Sequence, residues 1–112
     1  YPERYESNFE RFNFMDYPEL TFEEPDLKTF KNLQLAYNVL EKGGNSACVL
    51  NAANEITNQA FLDEKISFLD IADINEKAIK TVSFISKPSL EDYVETNKIA
   101  REITAQFVNE KL

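Results

Sequence analysis

The chain has 112 residues, of which 43% are hydrophobic, and a formal net charge of -8 at pH 7. This length fits one domain with a single core, and the apolar content argues against general disorder. The acidic balance disfavours nucleic acid, and the apolar runs are too short to cross a membrane, so neither partner is expected.

Residues 1–25 are predicted to form an extended strap, because they contain three of the four prolines and show no sustained helical period. The strap carries an aromatic series. Its members are Tyr1, Tyr5, Phe9, Phe12, Phe14, Tyr17 and Phe22. So many aromatic side chains are poorly suited to water, and we expect them to rest on a surface of this domain or of a missing neighbour.

A first helix is predicted after Asp26, which can cap its start, and it runs to about Lys42. Its apolar residues recur at spacings of three and four and are predicted to be buried. They are Leu27, Phe30, Leu33, Ala36, Val39 and Leu40. The stripe drifts near Lys31-Asn32, which indicates a local break in the helix.

A tight turn at Gly43-Gly44 leads into a second helix, predicted from about Ala47 to Leu62. Asn45 or Ser46 can supply the side-chain oxygen of its N-cap. The predicted buried side consists of Val49, Ala52, Ala53, Ile56, Ala60 and Phe61. The free N–H groups of this turn could also bind an anion, but the segment lacks the Lys and Ser/Thr of a P-loop, so paired caps are the favoured interpretation.

Two more helices follow. The third is predicted after the apolar bridge 66–69, with Asp70 as its cap and Ile71, Ile74, Ala78, Ile79 and Val82 on its apolar side. In the fourth, Ser89 and Asp92 resemble a capping box ahead of Leu90, Tyr93, Val94, Ala100, Ile103, Phe107 and Leu112. Short connections between amphipathic helices predict an all-α fold, a small antiparallel four-helix bundle over residues 26–112 preceded by the extended N-terminal strap.

Few residues are suited to catalysis. No histidine occurs, and Cys48 is the one cysteine, so it is predicted to be a small core residue in a chain from a reducing compartment, provisionally the cytoplasm. Carboxylates cluster at 23–26, 70–76 and 91–95, where we interpret them as solvated faces or helix N-terminal charges. We therefore assign no catalytic, cofactor-binding or metal-ligating residue within this chain.

The segment Leu50-Asn51-Ala52-Ala53-Asn54-Glu55 is unusual, because two asparagines inside a helix act against its propensity. Asn51, Asn54 and Glu55 fall within about one helical turn, so they can jointly satisfy buried polar groups. The favoured interpretation is a structural polar network or an interdomain contact. Direct contact with a substrate is the alternative.

Several motifs occur together in a fixed order. They are Leu-Thr-Phe-Glu-Glu-Pro-Asp at 20–26, Leu-Gln-Leu-Ala at 33–36, Gly-Gly at 43–44, Val-Leu-Asn-Ala-Ala-Asn-Glu at 49–55, Ala-Phe-Leu at 60–62 and Ile-Ser-Phe-Leu-Asp-Ile at 66–71. In order and spacing they resemble the C-terminal region of the 1-deoxy-D-xylulose 5-phosphate reductoisomerase family. Tyr1-Pro2-Glu3-Arg4 looks like that family's lead-in, whereas residues 72–112 match only in helical character. Lys31-Asn32 departs from the family's usual Pro-Cys.

The resemblance implies an N-terminal NADPH-binding domain, a central catalytic domain that holds a divalent metal (Mg or Mn), and a C-terminal helical bundle. It implies NADPH-dependent conversion of 1-deoxy-D-xylulose 5-phosphate to 2-C-methyl-D-erythritol 4-phosphate in non-mevalonate isoprenoid biosynthesis, by cytosolic homodimers. None of the family's cofactor, metal or phosphate motifs maps onto this chain. We therefore expect an inactive scaffold that contacts the missing N-terminal and central domains.

Two other interpretations remain open from the sequence. One is a stand-alone acidic helical protein-protein interaction module, and the other is a small helical enzyme that uses Glu55 as a base. The sequence begins without Met in a polar and aromatic run, which favours a piece of a longer protein. A long coding region upstream of Tyr1 would favour the reductoisomerase over the module.

Overall fold

The fold is known from a computed structural model that describes residues 3–112. In that range it contains helices and no strand, which confirms the predicted all-α class. The helices are α1 (Lys31–Lys42), α2 (Ser46–Leu62), α3 (Phe68–Thr81) and α4 (Leu90–Lys111). Residues 3–30 contain neither a helix nor a strand, and nearly all of their side chains are exposed.

Helix α2 lies at the centre of the bundle and contacts α1, α3 and α4, while α1 and α4 each also pack on α3. One core cluster contains Val49, Ala52, Ala53, Ala78, Val82 and Ala100. A second contains Ala60, Ile66, Ile71, Ile74 and Val108. Alanines supply much of the first cluster and are fully buried, which allows the helix backbones to approach closely.

Helix α1 begins at Lys31 rather than directly after Asp26. The Asp26 carboxylate accepts hydrogen bonds from the backbone N–H groups of Lys28 (3.0 Å) and Thr29 (3.1 Å), so it caps an isolated turn. At Phe30 the backbone leaves the helical region, with φ -101° and ψ 63°. The break predicted at Lys31-Asn32 is therefore close to the true start of the helix.

The predicted buried stripe of α1 is wrong for most of its members. Leu35 and Val39 are the residues of α1 that are buried. Phe30, Leu33, Tyr37 and Leu40 are 59%, 37%, 51% and 77% exposed, and we call these four residues the α1 outer face. Their spacings of three, four and three are typical of a surface that another helix or an apolar segment covers.

The caps of α3 and α4 differ in how well they follow prediction. Helix α3 is capped by Ser67, not by Asp70, whose carboxylate instead completes a capping box by accepting from the Ser67 backbone N–H (2.9 Å). The predicted capping box of Ser89 and Asp92 at the start of α4 is confirmed. The pattern Ser-x-x-Asp occurs at the start of both helices, so the capping box of α3 could also have been predicted from the sequence.

Candidate functional site

Asn54 belongs to a polar cluster between three helices. Its Oδ1 accepts hydrogen bonds from the Nδ2 groups of Asn32 in α1 (2.9 Å) and Asn75 in α3 (3.0 Å). Asn75 also donates to Asn32 Oδ1 (2.9 Å), and the Thr57 hydroxyl lies 3.0 Å from Asn75 Oδ1. We call Asn32, Asn54, Thr57 and Asn75 the asparagine network. Thr57 and Asn75 are fully buried, so the network fixes α1, α2 and α3 relative to one another.

Lys31 and Asn32 both hold α1 in place. Asn32 supplies one corner of the asparagine network. Lys31 Nζ lies 2.8 Å from a carboxylate oxygen of Asp73 and 2.8 Å from one of Glu76, both on α3. These contacts anchor the start of α1 on α2 and α3.

Asn51 and Glu55 lie outside the asparagine network, on the exposed side of α2. Asn51 Nδ2 donates to Glu55 Oε1 (3.1 Å), and Glu55 forms an ion pair with Arg101 of α4. Arg101 also donates to Asn97 Oδ1 (2.8 Å). The guanidinium beside Glu55 holds the pKa of that carboxyl below its usual range. Within the bundle, Asn54 therefore makes one set of contacts, and Asn51 and Glu55 make another. The interdomain contact suggested for these three residues stays a prediction.

Asn45 stands at the N-cap position of α2, but its side chain does not cap that helix. Its Nδ2 donates to the Ser83 carbonyl oxygen (3.0 Å) and to the Thr96 hydroxyl (3.1 Å), and its Oδ1 accepts from the Ile85 N–H (2.9 Å). The side chain is 1% exposed. Asn45 thus joins the start of α2 to the α3–α4 connection and to α4, a role that no local sequence signal distinguishes from an ordinary cap.

The Gly43-Gly44 turn lies against the same connection. Both glycines have positive φ, 69° and 57°, as predicted for the end of a helix. A Cβ on Gly44 would collide with the Ile85 carbonyl oxygen and with the Phe84 ring. The Asn45 backbone N–H donates to the Ile85 carbonyl oxygen (3.0 Å), so this N–H at the start of α2 is already engaged and not free for an anion.

Cys48 is half-buried between α2 and α4 and belongs to neither core cluster. Its Sγ lies 3.6 Å from the Tyr93 carbonyl oxygen. Partial burial raises the pKa of the thiol, so the thiolate needed for nucleophilic chemistry is disfavoured.

The carboxylates of α3 form ion pairs rather than a purely solvated face. Asp70 pairs with Lys111 of α4 (2.7 Å), and Glu76 pairs with Lys80 (2.7 Å) as well as with Lys31. Hydrogen bonds from Lys111 and Ser67 lower the pKa of Asp70 to about 2, and those from Lys31 and Lys80 lower the pKa of Glu76 to about 2. Within residues 3–112 no group of three or more acidic or cysteine side chains is arranged to hold a metal ion.

Acid is expected to destabilise the bundle, because these two carboxyls titrate lower in the folded chain than when unfolded. Above pH 4 to 5 the contribution of their ion pairs is present, and it is lost as pH falls through about 2. The check is the urea midpoint at several values between pH 7 and pH 2. Glu76→Gln should flatten the profile, whereas Glu95→Gln, at an exposed position of α4, should leave it unchanged. An identical profile for Glu76→Gln would contradict the assignment.

The aromatic side chains of the strap do not rest on the bundle. Tyr5, Phe9, Phe14 and Phe22 are 89%, 86%, 74% and 90% exposed. Phe12 stacks on Tyr17 and meets Phe14 edge to face, at centroid distances of 5.2 and 4.9 Å, so these rings touch mainly one another. Tyr1 and the first half of the predicted lead-in lie outside the described residues. The prediction that the strap rests on a surface of this domain is therefore wrong.

Several buried side-chain hydrogen bonds of this bundle join one helix to another or to a connection. Large exposed apolar side chains occur on the strap, on the α1 outer face, and also at Leu62, Leu69 and Leu90. These features define a small helical domain that is held together by polar and apolar contacts between its helices. In the described residues no helix has the length and apolar character needed to span a bilayer.

Comparisons with known proteins agree with this class. A family profile described as "DXP reductoisomerase C-terminal domain" matches residues 1–103, and the chain belongs to that family. It is 47% identical over 109 residues to the 1-deoxy-D-xylulose 5-phosphate reductoisomerase of Phocaeicola vulgatus, covering 97% of this chain and 28% of that protein. The enzyme of Bacteroides thetaiotaomicron is 45% identical over 108 residues, with 96% of this chain and 28% of that protein covered.

A solved structure shows the same relation in three dimensions. The 1-deoxy-D-xylulose 5-phosphate reductoisomerase from Zymomonas mobilis in complex with NADPH superposes with a TM-score of 0.77 at 40% identity. The superposition covers 96% of this chain and 29% of that one. The chain thus spans between a quarter and a third of the length of these relatives.

Proposed function

We propose that this chain is the C-terminal scaffold of a longer polypeptide that converts 1-deoxy-D-xylulose 5-phosphate to 2-C-methyl-D-erythritol 4-phosphate with NADPH. The carrying observation is the family match over residues 1–103, in a chain that spans about 28% of its curated relatives. In this proposal residues 1–25 are the linker from the preceding catalytic domain and residues 26–112 are the C-terminal bundle. The whole polypeptide acts in isoprenoid biosynthesis, as a cytoplasmic homodimer.

The scaffold part of the proposal is supported by how the polar residues of the bundle are used. The asparagine network and Asn45 bond to other helices and to the α3–α4 connection, and Glu55 is engaged by Arg101. These side chains fix the shape of the domain. A rigid domain can hold neighbouring catalytic parts in register without touching the substrate, and a misplacement of about 1 Å in such parts can cost roughly 100-fold in rate.

We assign the cofactors of the whole enzyme to residues outside this chain. NADPH is named for the Zymomonas mobilis relative. A divalent Mg or Mn ion would supply Lewis-acid chemistry to the same reaction, and it needs carboxylates free to bind it. Asp70, Asp73 and Glu76 each lie within 2.8 Å of a lysine nitrogen, so this acidic run fits ion pairing better than metal binding.

Deleting residues 20–112 from the whole polypeptide is expected to destroy folding or to lower turnover by at least about 100-fold. The measurement is the rate of substrate-dependent NADPH oxidation, with circular dichroism to register loss of fold. The whole polypeptide carrying Glu95→Gln serves as the control and should keep its activity. Full turnover after the deletion would exclude a scaffold role.

The same proposal predicts that the 112-residue chain by itself binds neither NADPH nor substrate. Titration calorimetry of the purified chain with NADPH, and with 1-deoxy-D-xylulose 5-phosphate, is expected to show no saturable heat. Saturable micromolar binding of either compound would place part of the active site here and contradict the assignment.

A further inference from the structure

Helix α1 lies outside the apolar core that joins the other three helices. Both core clusters are formed by residues of α2, α3 and α4 and of the connections between them. The buried residues of α1 are Leu35 and Val39, and neither belongs to a cluster. Helix α1 can therefore leave the bundle while the apolar clusters of the other three helices stay assembled.

Polar and charged contacts supply much of what attaches α1 to the bundle. Lys31 at its start pairs with Asp73 and Glu76 of α3, at 2.8 Å each. Asn32 belongs to the asparagine network. At the other end, the Lys42 ammonium lies 4.7 Å from the centre of an aromatic ring in the α3–α4 connection. Water solvates such groups when they part, so separating them costs little compared with exposing an apolar core.

The part of the asparagine network that lies on α2 and α3 is bonded internally. Asn75 Nδ2 donates to Asn54 Oδ1 (3.0 Å), and the Thr57 hydroxyl lies 3.0 Å from Asn75 Oδ1. When Asn32 leaves, water can take its place at the edge of the network, because Asn54 is only half-buried. The departure of α1 thus leaves the remaining polar groups of the network with partners.

The backbone on both sides of α1 is suited to act as a hinge. Phe30, before the helix, has φ -101° and ψ 63°, outside the helical region. Gly43, after the helix, has φ 69° and ψ -150°, and open space surrounds the place where a Cβ would stand. One residue later the chain is fixed, because Gly44 lies directly against the Ile85 carbonyl oxygen and the Phe84 ring. A rotation at Gly43 therefore moves α1 and leaves the start of α2 in place.

We propose that α1 is a hinged helix that opens from the bundle as a unit while α2, α3 and α4 stay folded. Opening exposes Leu35 and Val39 and separates Asn32 from the asparagine network. Residues 3–30 are joined to the moving end of α1, so a displacement of that segment can shift α1 without unfolding the other helices. The inference concerns contacts within this chain and does not depend on the proposed function.

Native-state hydrogen exchange of the 112-residue chain, followed at each amide by nuclear magnetic resonance, tests the opening. The amides of residues 35–42 are expected to have protection factors roughly 100-fold lower than the most protected amides of α2 and α4, because they exchange through a local opening. Low concentrations of urea should accelerate exchange in α2 and α4 and hardly change it in α1, since the opening exposes much less surface than global unfolding. Equal protection, or the same urea dependence in α1 as in α2 and α4, would overturn the proposal.

Two matched valines separate local opening from global unfolding. Val39 in α1 and Val108 in α4 are each 5% exposed. Val108→Ala destabilises the closed and the open state equally relative to the unfolded chain, so it should accelerate exchange in α2 and α4 about tenfold and leave exchange in α1 unchanged. Val39→Ala destabilises the closed state alone, so it should accelerate exchange in all of these helices by a similar factor, about tenfold.

The polar contact is tested in the same way. Asn32→Ala should accelerate exchange in α1 about tenfold, whereas Asn58→Ala, at an exposed position of α2, should leave it unchanged. If Val108→Ala accelerated exchange in α1 as much as in α4, α1 would open only when the whole bundle unfolds, and the proposal would fail. Unchanged exchange of α1 in both Val39→Ala and Asn32→Ala would overturn it as well. The urea dependence of the unsubstituted chain gives the answer even where a variant does not fold.

Discussion

Replacing Asn45 with alanine is expected to lower the free energy of unfolding by about 3–5 kcal/mol. The change removes three hydrogen bonds at a side chain that is 1% exposed. It leaves the Ser83 carbonyl, the Ile85 N–H and the Thr96 hydroxyl without this partner in a site that admits little water. Urea unfolding followed by circular dichroism measures the loss.

The control is Asn58→Ala, at an exposed asparagine of α2, where a change within about 0.5 kcal/mol is expected. Asn45→Asp is a sharper comparison. An aspartate keeps the acceptor for the Ile85 N–H but cannot donate to Ser83 or Thr96, so it should retain only part of the stability. A loss below about 1 kcal/mol for Asn45→Ala would show that the α3–α4 connection is held by other contacts.

Asn45 illustrates why part of this fold was beyond sequence reasoning. Asparagine after Gly-Gly and before a helix is the usual pattern of an N-cap, and the side chain does stand at that position. Its bonds instead reach residues 38 to 51 positions away along the chain. Local preference places the residue, whereas tertiary packing decides which groups it satisfies.

Helix α1 was mispredicted for a related reason. An aspartate followed by apolar residues at helical spacing signals a helix start, but the same side chain equally stabilises the single turn seen after Asp26. In the helix that begins at Lys31, Leu35 and Val39 are buried, whereas Phe30, Leu33 and Leu40 face outwards. Apolar spacing identified a helix, but it did not identify which of its sides the bundle covers and which stays exposed.

The α2 segment was predicted more fully. Val49, Ala52, Ala53 and Ala60 are buried as the periodicity indicated, whereas Ile56 is half-buried and Phe61 is 39% exposed. Two asparagines within that helix signalled a compensating polar contact, and Asn54 has one. The partners on α1 and α3 were not readable, since no local rule connects residues that are more than 20 positions apart.

Replacing Asn75 with alanine is expected to lower the free energy of unfolding by about 2–4 kcal/mol. Asn75 is fully buried. It donates to both Asn32 and Asn54 and lies beside the Thr57 hydroxyl. Alanine leaves the side-chain oxygen of Asn32 without this donor, and it creates a small cavity where the amide stood. Urea unfolding at pH 7 gives the size of the effect, again with Asn58→Ala as the control.

A double-mutant cycle with Asn32→Ala tests whether the asparagine network acts as one unit. Direct bonding between the two amides predicts a coupling energy of about 1–2 kcal/mol, so the double variant should lose less than the two single losses combined. Additive losses would mean that Asn32 stabilises α1 independently of Asn75. A coupling of this size would show that the two amides tie α1 to α3 as one unit.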